Sequence, residues 1–141
     1  MQVFVPYPNP FGVAQCLDKR RLNKQIVECG QILRAIDDET APWAHHPVVA
    51  MWKSYRDWLW WYRDCLDNYR RGNVQAARDI GAVCFAKHPA FLTRNFCNQH
   101  RRRLYTKDPV YYAEFAEYGT SEENWYYVDG KLVRYIKGKK I

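Results

Sequence analysis

A mainly helical, all-α single domain with a small C-terminal β-hairpin is predicted by three features of this 141-residue chain. Apolar residues recur at helical spacing along two long stretches, one before Asp37 and one after Pro47. After Gly119 the pattern changes to strand-like runs on either side of Asp129-Gly130, a pair suited to a type I′ turn. No repeat, linker or low-complexity tract divides the chain, so residues 1–141 form one domain long enough to bury a core.

Residues 1–10 are expected to be extended, because prolines at 6, 8 and 10 exclude a helix. A first helix is predicted over residues 12–36, with Leu22, Ile26, Cys29, Leu33 and Ile36 on one apolar face. A second is predicted over 47–70, carrying Val48, Met51, Trp52, Tyr55, Trp58, Leu59, Tyr62, Leu66 and Tyr69. Gly72 stops it, and Asn73 can cap a third over 74–86 with Ala77, Ile80 and Cys84. A fourth segment follows Pro89 and runs to 105, and Pro109 opens a short fifth with Tyr112 and Phe115. The hairpin pairs 125–128 with 131–135, and the basic tail 136–141 is expected to be mobile. Trp60, Trp61, Trp125 and Tyr126 are expected to be more exposed than the core-spaced aromatics.

The net charge is +7, and six Trp with eleven Tyr make the chain rich in aromatics, a balance that suits a polyanion partner. Nucleic acid is the commonest such partner, and the alternative is a basic surface over an aromatic core. The apolar runs are too short and too broken by charge for a membrane span. The start has no basic region ahead of its apolar stretch, so no secretory signal is expected. The five cysteines are odd in number, widely spaced and without a CxxC pair. They read as reduced small hydrophobes of a cytoplasmic protein rather than a zinc site, and no metal or organic cofactor is expected. The expected state is a monomer.

Candidate chemistry falls in three places. Asp18, Arg21, Gln25 and Glu28 follow at spacings of three, four and three, so they stack along one edge of the first helix's apolar stripe. Partly desolvated acids there fit either a structural ion-pair ladder or catalysis. Lys19, Arg20 and Lys24 point to the other side, as a solvated face or as phosphate contacts. The run His100-Arg101-Arg102-Arg103 with Lys107 forms a dense cationic segment, either a charged helix end or an anion site. His46, before Pro47, is either a cap or a proton-transfer or phosphate-contacting group at a pocket mouth walled by Trp43 or Trp52.

The opening Met1-Gln2-Val3-Phe4-Val5-Pro6-Tyr7-Pro8 resembles the pyrimidine-dimer DNA glycosylase family, the phage endonuclease V type. So do Leu17-Asp18-Lys19-Arg20-Arg21-Leu22-Asn23-Lys24-Gln25 with Glu28, Gln31-Ile32-Leu33, His46-Pro47 with Met51-Trp52, and His100-Arg101 with Leu104, Lys107-Asp108-Pro109 and Tyr112. The resemblance implies a helical domain that binds duplex DNA, flips a nucleotide and expels its base. In the family an N-terminal α-amine attacks sugar C1′, and the Schiff base formed permits strand cleavage, assisted by a glutamate on the first helix. Here residue 2 is Gln, too large for ready removal of the initiator Met, so the amine implied is that of Met1, with Lys24 as a substitute. Alignment at Leu17 brings the family glutamate onto Asn23 or Gln25, which leaves Glu28 or Asp18 as the acid. Arg20, Arg21, Gln25, His46, His100, Arg101, Arg103 and Lys107 are the implied orienting and phosphate-holding residues.

Overall fold

The computed structural model describes all 141 residues. Asn9 caps the first helix, α1 (Pro10–Cys16), its side chain accepting from Phe11 N. The chain then turns extended at Leu17 and Asp18 before α2 (Lys19–Asp37) begins. The single helix predicted over 12–36 is therefore two. Asp18 makes the break, because its carboxylate accepts from the Arg21 backbone N–H as an N-cap, a role that requires non-helical dihedrals.

The second predicted helix is likewise interrupted. Residues Pro47–Trp52 form α3, Lys53–Tyr55 tighten into a 3-10 turn, and Arg56–Arg70 form α4. In an unbroken helix Trp52 and Trp58 would face about 120° apart. Across the tightened turn they stack with ring centroids 5.5 Å apart at 13°, and Trp58 stacks in turn on Tyr62. These buried rings form the middle of the core, between α2 and α4.

Helix α5 (Val74–Ala82) stops four residues short of expectation and leaves Cys84 exposed rather than packed. It crosses close to α1 at Gly81, where a Cβ would come within 3.0 Å of the Asn9 cap. Cys29, Cys65 and Cys97 are buried and free. Helix α6 (Arg94–Lys107) starts at a Thr93 cap, later than Pro89, and a 3-10 segment spans Ala113–Tyr118.

The hairpin forms as expected from β1 (Glu123–Val128) and β2 (Lys131–Ile136), with Asp129 and Gly130 both at positive φ. The tail folds back on the hairpin. Lys137 and Gly138 make a second turn, and β3 (Lys139–Lys140) pairs with β2 to complete a three-stranded antiparallel sheet. Strand β1 packs on α3, so Tyr126 is buried, contrary to expectation, whereas Trp60 is exposed. No helix is long and apolar enough to cross a membrane.

Candidate active site

The first six residues run extended through the body of the protein, with Val3 and Val5 buried. An extended segment carries backbone groups that no helix satisfies, and burying them unpaired is costly. Side chains from four elements meet that need. Gln25 of α2 works as a strand edge would. Its Oε1 accepts from Phe4 N at 2.9 Å, and its Nε2 donates to Phe4 O and to the Tyr62 hydroxyl. Tyr62 of α4 also donates to Phe4 O, at 2.6 Å. His100 Nδ1 accepts from Val5 N at 2.6 Å, Arg101 Nε donates to Pro6 O at 2.9 Å, and the Tyr126 hydroxyl donates to Met1 O at 2.8 Å.

This threading delivers Met1 to a cleft of about 270 Å³. Met1, Gln2 and Phe4 form one wall, α2 supplies Arg20, Arg21, Lys24, Gln25 and Glu28, and Arg103, Lys107 and Asn124 close the far side. Arg21, Gln25 and Glu28 do share an edge of α2. Arg20 and Lys24 do not point away from it, because Lys24 lies only about 40° around the helix from Glu28. Lys24 Nζ sits 3.7 Å from the Glu28 carboxylate, which is largely sheltered.

Five cations and one carboxylate therefore line the cleft. They crowd one another. Burial and the neighbouring charges of Arg103, Lys24 and Arg21 push the Lys107 ammonium below its ordinary pKa. Two of the arginines are fixed in place. Arg103 Nε donates to Asn124 Oδ1 at 3.1 Å and its Nη1 to Ser121 O at 3.2 Å. Arg21 holds Asp18 Oδ1 at 3.1 Å and lies over the Tyr112 ring. An incoming anion would relieve the mutual repulsion of groups already in position.

Several residues read from the sequence as contacts lie elsewhere. Asp18 is outside the cleft, committed to capping α2 and to hydrogen bonds from Tyr112 and Arg21. Burial would raise its carboxyl pKa, but those bonds outweigh it and hold the group below its usual value. His100 is fully buried and reaches no phosphate. Burial, then the Arg103 charge, drives its pKa down to about 3, so the ring is neutral and its Nδ1 stays free to accept. Its Nε2 faces the Gln2 side-chain amide at 3.2 Å.

Arg101 is likewise turned inward. Besides Pro6 O, it donates to Asn98 Oδ1 and the Tyr118 hydroxyl, and it sits against the rings of Tyr7, Tyr118 and Phe115. Trp52 is a core residue with no exposed surface and does not line this cleft. His46 is a cap, its Nδ1 accepting from Val48 N at 3.0 Å. Burial and then the nearby Met1 ammonium lower its pKa. Trp43 does not line the cleft. Sequence reasoning missed Gln2, Phe4 and Asn124 as lining residues, and Tyr62 and Tyr126 as anchors of the N-terminal segment.

The fold and the cleft define a helical domain whose N-terminal residue is presented among cations arranged to face an anion. The chain belongs to the pyrimidine dimer DNA glycosylase family: residues 1–72, which run from Met1 through α4, match the family's sequence profile. Membership implies a DNA substrate. Comparison with curated proteins and with solved structures finds no match.

Proposed function

We propose that the protein excises a damaged or modified pyrimidine from duplex DNA through an amine nucleophile, and then cuts the strand as an abasic-site lyase. The observation that carries this reading is the anchoring of Met1 beside Glu28 in a cationic cleft. In its neutral form the Met1 α-amine attacks sugar C1′, and the glycosidic bond breaks with its electron pair leaving on the base. The amine loses a proton and the sugar ring opens, which gives an iminium between Met1 and C1′. Removal of a C2′ proton then expels the 3′ phosphate by β-elimination. Glu28 stabilises the cationic sugar and moves these protons. The Lys24 ammonium lies 3.7 Å from the Glu28 carboxylate, and its amine is the alternative nucleophile. Arg20, Arg21, Arg103 and Lys107 hold phosphates on either side of the reacting nucleotide.

Borohydride trapping with an untagged N-terminus tests this reading, with irradiated, abasic and undamaged duplexes side by side and intact-mass analysis to define the terminus. An adduct specific to irradiated DNA and mapped to Met1 is the expected result. An adduct mapped to Lys24 moves the chemistry to that amine. No adduct, with salt-sensitive DNA binding intact, leaves a binding module of the same fold or an enzyme for a different modified base.

A further inference from the structure

Trp43 lies in the connection between α2 and α3, and its backbone takes φ 74°. That left-handed conformation is unfavourable for a bulky side chain and is retained where surroundings or function demand it. The turn around it is closed by His46 N donating to Trp43 O at 2.8 Å. The indole is 47% exposed, whereas Trp52 and Trp58 are buried. Trp60, also exposed, sits in the regular backbone of α4.

The Trp43 ring joins a row of aromatic contacts that leads inward. His46 meets it in a T-shaped contact with centroids 5.6 Å apart, and on its other side meets Tyr126 at 5.5 Å. His46 is fixed by its bond from Val48 N, and Tyr126 by its bond to Met1 O. The row therefore runs from the first residue of the cleft to an open indole at the surface.

We infer that Trp43 is a stacking platform for an unpaired nucleobase beside the cleft, and that it selects DNA in which a base has left the helix. Indole offers a flat face to any base without reading its edges, and the aromatic row behind it keeps that face from tilting away. The inference rests on the DNA-glycosylase reading for its ligand, but it concerns binding and requires no chemistry.

The test compares Trp43→Gly, Trp43→Phe and the unaltered protein. Affinity is measured by anisotropy at one salt concentration, for a fully paired duplex and for the same duplex carrying one bulged base. Glycine adopts φ 74° without the steric cost of a side chain, so Trp43→Gly removes the indole while leaving the turn's backbone conformation accessible. It is expected to weaken binding of the bulged duplex by roughly tenfold or more and to leave the paired duplex unchanged. Trp43→Phe retains most of the preference. A lower melting temperature with unchanged affinities would make Trp43 a structural residue and overturn the inference. So would an unaltered protein that binds both duplexes equally. Failure of borohydride trapping would overturn the catalytic reading alone, because the affinity difference does not depend on turnover.

Discussion

His100 Nδ1 accepts the backbone N–H of Val5 at 2.6 Å, across 95 positions of sequence. The bond exists only while the imidazole is neutral, and the buried ring keeps its pKa down to about 3 against an ordinary 6.5. The unfolded chain therefore takes up a proton that the folded protein refuses. Stability is complete above pH 6.5 and is lost as pH falls toward 3, by about 1.4 kcal/mol per pH unit from this group. Urea midpoints of the unaltered protein and His100→Gln at pH 7, 5.5 and 4.5 measure it. The unaltered protein should lose stability more steeply, and parallel curves would remove His100 as the cause.

Gln25 should be an anchor before it is anything else. Gln25→Leu preserves size and leaves Phe4 N without its partner, an expected loss of about 1–3 kcal/mol. Hydrogen exchange should speed up at the Phe4 amide more than at the α2 amides. Unaltered protection at Phe4 would show that Tyr62 and the surrounding packing suffice.

Glu28→Gln should abolish turnover on irradiated duplex while binding stays within about a factor of a few, since the change removes a charge at the reacting centre rather than a group that holds phosphate. Single-turnover cleavage beside equilibrium binding separates the two effects. A fully active variant would remove Glu28 from the chemistry.

The cleft cations and Arg101 should separate cleanly. Replacing Arg20 and Lys107 with Gln should flatten the dependence of log affinity on log salt by about 0.9 for each phosphate that is no longer neutralised. Arg101→Gln should instead lower the melting temperature and leave that slope in place, because its guanidinium is occupied by Pro6 O and the Tyr118 hydroxyl. A reduced slope for Arg101→Gln would return that residue to the DNA surface.

The Arg21, Gln25 and Glu28 edge was legible because helical spacing is a local property and α2 is long and regular. The same logic failed at Asp18, where one capping carboxylate divides a continuous apolar pattern into two helices. His100 and Arg101 looked like anion ligands because four cationic or titratable side chains follow one another there. Their actual partners, Val5 N and Pro6 O, lie 95 residues away, and no local pattern announces such a pairing. The tail deceived for a similar reason. Lys137-Gly138-Lys139-Lys140 reads as solvated charge, but a turn at Lys137 and Gly138 folds it back onto β2.

The N-terminal segment also constrains the order of folding. Residues 1–6 are held by side chains that all follow them in the chain: Gln25, Tyr62, His100, Arg101 and Tyr126. The last of these bonds spans 125 positions, so the segment cannot be fully seated before β1 has been made. The wall that Met1, Gln2 and Phe4 give the cleft is therefore completed late, once the helices and the first strand have closed around the segment.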